Sequence, residues 1–297
     1  MASLTVLQVD AFAPRPFGGN PAAVVPDAAG LSARQMQALA RELGVAGTGF
    51  VSPSGTPGVD HRLRVFTPAC EVTYSGHTTL AVTHALAEAG RVPGDRLVFE
   101  TAGGLLAVTL ERRDDGTRIW LEPALPRCRA FDGPLEALLD TLGLASNGRA
   151  PWARPTLTPE ADLLVPVGGL APLHALRPDM NRLADVAAAA ALRGLCLVSR
   201  ETIEATSSTH SRFFAPHFGI PEDIVTGSVH SALAVWLWEA GQLPATGDRI
   251  ALTAEQGDVL GRPGRLAIEL HLAGGRPIRV RVGGSAVTVL RGTMEVP

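Results

Sequence analysis

The chain has 297 residues, 46% of them hydrophobic, enough for two domains of ordinary size with cores of their own. A formal net charge of −3, with 19% of residues charged, leaves no basic footprint for nucleic acid. Every basic residue is Arg, so a lysine Schiff base or lysine general base is excluded.

In chain order, residues 4–10 alternate as a strand, so no signal peptide is expected. A Pro- and Gly-rich loop, 13–21, leads to a short apolar strand at 22–25. Ser32 is a good N-cap for a helix at 33–43. Strands are predicted at 50–51 and 63–66. Gly76 opens a helix to about residue 89, stopped by Gly90 and Pro93. Strands at 97–100, 105–111 and 118–121 read as a meander, with Asp114-Asp115-Gly116 as a hairpin turn. A Pro-, Ala- and Gly-rich crossover, 123–155, holds a helix at 135–142. There follow a strand at 163–167, a helix near 180–192, strands at 196–199 and 211–214, a helix at 227–240 and a closing meander. The helix at 227–240 is apolar nearly all round, the mark of a buried helix. Cys70, Cys128 and Cys196 lie far apart without CxxC spacing, which points to a reducing, cytoplasmic compartment rather than a disulfide framework. No apolar run reaches the roughly 18 residues of a membrane span.

The chain repeats itself. Arg64-Val65-Phe66-Thr67-Pro68, then Ser75-Gly76-His77, then a run ending Glu88-Ala89-Gly90-Arg91-Val92-Pro93, returns as Arg212-Phe213-Phe214-Ala215-Pro216, Thr226-Gly227-Ser228 and Glu239-Ala240-Gly241-Gln242-Leu243-Pro244. The offset is constant from Gly76 to Pro93, since 227 − 76 and 244 − 93 both equal 151. Two copies mean two related halves, not a solenoid. Hairpin-linked strands between the helices favour an α+β fold. The expected division is 1–122, joined by a C-terminal strand at about 280–297, and 123–279. One site is expected where the two small-residue turns face each other.

Val9-Asp10-Ala11-Phe12, Gly19-Asn20-Pro21-Ala22-Ala23-Val24, Phe66-Thr67-Pro68-Ala69-Cys70-Glu71-Val72, Gly76-His77-Thr78-Thr79-Leu80-Ala81 and 222–230 together resemble the PhzF-like (phenazine biosynthesis) proteins. The resemblance runs in order from residue 4 to 293. It implies two pseudo-symmetric diaminopimelate-epimerase-like domains, each a barrel-like sheet around a central helix. It also implies a homodimer, a small-molecule carboxylate substrate, and neither metal nor organic cofactor. No paired-His spacing suggests a metal site either.

Gly76-His77 and Gly227-Ser228 each start a helix, where free N–H groups and the helix dipole bind anions. The plainer reading is that these glycines only allow tight turns. His77 matches the family's active-site His and titrates ordinarily at about 6.5. Asp223 matches the family's active-site Asp, to orient His77 or hold a substrate amine; pre-helix capping is the alternative. Asn20, Gly47, Ser75, Thr226 and Ser228 complete the expected substrate contacts. Tyr74, His210 and His230 are weaker candidates, each with a structural reading beside the functional one. The epimerase relatives use a cysteine near the start of this helix as an acid/base, and the unactivated hydroxyl of Ser75 cannot replace a thiol. An amino-acid racemase is therefore not expected.

One departure matters. Members of the family carry Arg-Glu-Leu/Met-Asn-Leu-Ser-Glu-Thr-x-Phe after the first helix, and the last Glu is their general acid/base. This chain reads Arg41-Glu42-Leu43-Gly44-Val45-Ala46-Gly47-Thr48-Gly49-Phe50, with Gly47 at the Glu position. Losing such a group typically costs about 10²–10⁴ in rate. The resemblance then implies a cofactor-free isomerase that shifts a double bond on a small unsaturated amino or carboxylic acid, in antibiotic or other specialised metabolism, with another proton carrier. The competing reading is an inactive relative that binds a small carboxylate or a partner.

Overall fold

The structure is a computed structural model that describes residues 3–114, 116–144, 148–244 and 247–296. The chain divides into two units, residues 1–122 with 283–297, and residues 123–282. The expected turn at 114–116 lies partly outside the described residues, at position 115.

In the first unit, β1 (Ser3–Ala11) pairs antiparallel with β2 (Asn20–Val25). Helix α1 (Ala33–Leu43) starts in a full capping box, with Ser32 and Gln35 satisfying each other's backbone N–H, and ends at Gly44 in the left-handed region. It is the crossover to β3 (Gly47–Ser52), which runs parallel to β2. Then come β4 (His61–Phe66), the short β5 (Glu71–Val72) and helix α2 (Gly76–Glu88). Strands β6 (Arg96–Thr101), β7 (Gly104–Arg113) and β8 (Gly116–Leu121) complete the meander.

In the second unit, β9 (Arg129–Ala130), α3 (Leu135–Thr141) and β10 (Thr156–Leu157) precede β11 (Asp162–Val167). Helices α4 (Leu170–His174) and α5 (Met180–Ala189) cross over to β12 (Gly194–Ser199), parallel to β11. Strand β13 (Thr209–Ala215), β14 (Ile220–Asp223) and helix α6 (Gly227–Glu239) follow. Strands β15 (Arg249–Gln256), β16 (Gly264–Ala273) and β17 (Arg276–Gly284) close the unit. The last strand, β18 (Ala286–Glu295), pairs with β1 of the first unit, from Ala11↔Ala286 to Ser3↔Glu295.

The repeat therefore extends to topology. Each unit has a parallel pair joined by helix, β2–β3 and β11–β12, headed by the partners Ala22↔Gly47 and Asp162↔Gly194. Each then has an antiparallel neighbour, β4 or β13, and a long helix, α2 or α6. Both helices bury nearly every face: Thr78 through Val82 in one, Val229 through Leu237 in the other. Helix α2 packs against β1, β2, β3, β8 and β18, so the sheet wraps around it. A helix enclosed in this way needs apolar residues all round rather than an amphipathic stripe.

The strand expected at 50–51 begins at Gly47. Pairing to β2 and β4 extends it over two glycines, which propensity alone disfavours. The helix expected to reach 192 stops at Ala189.

Candidate active site

Helix α2 begins against β3. Its N-cap, Ser75, has extended backbone dihedrals but makes no side-chain cap. Ser75 Oγ lies 2.9 Å from Thr78 Oγ1 and 3.3 Å from His77 Nδ1. Thr78 Oγ1 lies 3.3 Å from His77 Nε2, so the three side chains form a closed set of contacts. Gly47 opens β3 directly beside them. A Cβ at Gly47 would stand 2.2 Å from Thr78 Oγ1 and 3.2 Å from His77 Nε2. Sequence-distant Gly47 thus adjoins His77 and Thr78. Asn20 is buried at the head of β2, two residues before Ala22, the register partner of Gly47. Tyr74 is part of the exposed approach to the helix.

In the second unit, Asp223 ends β14 just ahead of α6. Thr226 Oγ1 donates to Asp223 Oδ2 at 2.7 Å. Gln256 fixes this turn: its Nε2 donates to Thr226 Oγ1 (3.1 Å) and Asp223 O (2.9 Å), and its Oε1 accepts from Thr226 N (3.1 Å). Ser228 Oγ accepts from Arg193 Nη2 at 3.2 Å. The same guanidinium grips Asp162 with Nε (2.8 Å) and Nη2. The Asp162 side chain is fully buried and that of Arg193 about one-third exposed (34%). Burial pushes the Asp162 carboxyl above its ordinary value, opposed by the bonds from Arg193. Asp223, Thr226, Gly227 and Ser228 are thus neighbours in this unit.

Gln256, Arg193 and Asp162 are absent from the sequence-derived candidates. They lie 30 or more residues from the turn they support and carry no motif. Arg193 does precede the strand that corresponds to the one headed by Gly47, the only hint available from the repeat.

The two further histidines are both engaged in the core. His230 is fully buried, with Nδ1 donating to Thr226 O at 2.7 Å and Nε2 3.4 Å from Ser211 Oγ. Burial pushes it down to about 4, so it is a neutral core residue at pH 7. His210 is also buried, held by Glu255 Oε2 (2.9 Å) and 3.4 Å from His174 Nε2. It precedes Ser211 on β13 and so points to the opposite face of the strand.

Among the described residues, no group of three or more His, Cys, Asp or Glu could hold a metal ion, and no helix is long and apolar enough to cross a membrane. A cavity of about 280 Å³ lies at the far end of α2, lined by His84, Glu88 and Arg112 among others. It belongs to a different end of the helix from His77.

Residues 9–292 match the family model described as phenazine biosynthesis-like protein, PhzC-PhzF. The chain is 33% identical over 290 residues to the uncharacterized isomerase YddE of Escherichia coli O157:H7, covering 95% of each. It is 33% identical over 285 residues to the trans-2,3-dihydro-3-hydroxyanthranilate isomerase of Pseudomonas aeruginosa, covering 96% of each. Among solved structures, the PhzF-family phenazine biosynthesis protein of Bacillus anthracis superposes with a TM-score of 0.91 at 26% identity over the full length of both chains. The doubled sheet-around-helix fold, the two helix starts and this full-length match place the chain in the PhzC-PhzF family of isomerases, with the diaminopimelate epimerase fold.

Proposed function

We propose that the protein is a cofactor-free isomerase that moves a proton, and with it a double bond, on a small unsaturated amino or carboxylic acid of specialised metabolism such as antibiotic biosynthesis. The observation that carries this reading is His77, an imidazole at the start of a buried helix with two hydroxyls within 3.3 Å of its nitrogens. The start of α2 at Gly76, with the positive end of the helix dipole, suits a carboxylate. Asp223, held by Thr226, would hold a substrate amine.

In the reaction, an imidazole nitrogen takes the proton from an acidified C–H, and the C–H electron pair moves into the conjugated system. The imidazolium then returns a proton to the distal carbon, and the double bond settles one position along. Nothing is oxidised or reduced. A C–H already acidified by conjugation needs less basicity than an amino-acid α-carbon, which suits a site with Gly47 in place of a carboxylate. The substrate named for the Pseudomonas aeruginosa relative, a dihydroaromatic amino acid, is the first compound to try. Gly47 also favours a second reading, a non-catalytic binder of small carboxylates.

Turnover and deuterium uptake in D₂O, measured with trans-2,3-dihydro-3-hydroxyanthranilate and with an alkylidene-type unsaturated amino acid, separate the two. We expect turnover that falls by roughly 10²-fold or more in His77→Ala or Asp223→Asn. Tight binding with neither turnover nor exchange would establish the binder instead.

A further inference from the structure

Thr78 uses its hydroxyl unlike its neighbours in α2. Thr79 Oγ1 and Thr83 Oγ1 donate to the carbonyls four residues back, Ser75 O and Thr79 O, both at 2.8 Å. That is how a helical Thr ordinarily satisfies itself. The contacts of Thr78 Oγ1 are instead Ser75 Oγ and His77 Nε2.

The fold does not need this hydroxyl. Val229 stands at the corresponding position of α6, offset by the same 151 residues, and is equally buried. The glycine heading the neighbouring strand is also shared. In the second unit a Cβ at Gly194 would stand 2.4 Å from the Phe213 ring. In the first, a Cβ at the corresponding Gly47 would stand 2.2 Å from Thr78 Oγ1, far inside contact distance. Thr78 therefore occupies the volume that a side chain at position 47 would enter.

We propose that Thr78 is the positioning residue for the proton carrier His77, taking the place of the missing side chain at Gly47. Thr78 O–H donates to His77 Nε2 (3.3 Å), and Thr78 Oγ1 accepts from Ser75 O–H (2.9 Å). Nε2 is thereby the acceptor, and Nδ1 carries the proton of the neutral ring. The 3.3 Å contact is long, as hydrogen bonds in unliganded catalytic sites often are.

This inference rests on the proposed isomerase reading, and its test has one arm free of it. In the full chain labelled with ¹⁵N-histidine, with the His77 signals assigned by His77→Gln, ring shifts in the wild type should report the Nδ1–H tautomer. In Thr78→Val, the isosteric change that α6 already carries, they should move toward the Nε2–H tautomer. In turnover assays Thr78→Val should lower kcat by roughly 10- to 10²-fold with KM unchanged, and Thr78→Ser should stay within about 3-fold of the wild type. Gly47→Glu alone should abolish turnover, because its Cβ displaces Thr78. Identical His77 shifts in wild type and Thr78→Val, or an unaltered kcat in Thr78→Val, would overturn the inference while leaving the isomerase reading intact. No turnover by the wild type on any acid tried would instead count against that reading, and the ¹⁵N shifts would still judge the role of Thr78.

Discussion

His230 should write a pH signature into the stability of this protein. Its ring is fully buried in α6, where Nδ1–H donates to Thr226 O and Nε2 meets Ser211 Oγ. Burial lowers its pKa from 6.5 to about 4. As pH falls, the unfolded chain takes up this proton first. Stability is therefore complete above about 6.5, drains between 6.5 and 4, and loses nothing more from this group below 4. At about 1.4 kcal/mol per pH unit, the loss amounts to about 3 kcal/mol. His230→Gln keeps a donor and an acceptor but cannot titrate. It should be less stable than the wild type at pH 7.5 and lose most of that deficit by pH 4. Urea unfolding at pH 7.5, 6, 5 and 4, followed by the fluorescence of Trp236 and Trp238 in the same helix, measures the difference directly. Other acid-sensitive groups, such as Glu255 with its bonds from Ile203 N, Glu204 N and His210, affect both proteins alike and cancel. Stability curves that run parallel from pH 7.5 to 4 would refute the reasoning.

Two further outcomes follow from local geometry. Arg193→Met leaves the fully buried Asp162 carboxylate without its bidentate partner and should cost up to about 3 kcal/mol at pH 8, the low end for a buried pair because the Arg193 side chain is about one-third exposed (34%). The cost should shrink in acid as Asp162 is protonated, and thermal unfolding of Arg193→Met and of Arg193→Met/Asp162→Leu checks it, the double variant recovering part of the loss. Gly19→Ala should be far more damaging than Gly30→Ala. Both have positive φ, +53° and +84°, but a Cβ at Gly19 meets Ala11 O at 2.1 Å whereas Gly30 faces open space. Denaturant midpoints should show roughly 3 kcal/mol or more for the first and about 1 kcal/mol for the second.

Local features are legible in the order of residues. Ser32 and Gln35 close a capping box within four residues, Gly76 and Gly227 open helices, and the all-round apolar composition of the second declares its burial. The constant offset of 151 residues announced two related halves, and the family motifs named the residues at both helix starts. Tertiary structure decided everything that depends on strand register. Gly47 joins a strand because Ala22 of β2 pairs with it, and it lies beside Thr78 and His77 some 30 residues away. Gln256 and Arg193 reach the start of α6 from 30 and 35 residues away. His230 looked like a candidate ligand, but its nitrogens meet a backbone carbonyl and a serine from the next strand. Periodicity and capping act over one helical turn and leave their mark on adjacent letters. The partner of a buried polar group is set by which strands pair and in what register, and no short stretch of chain records that choice.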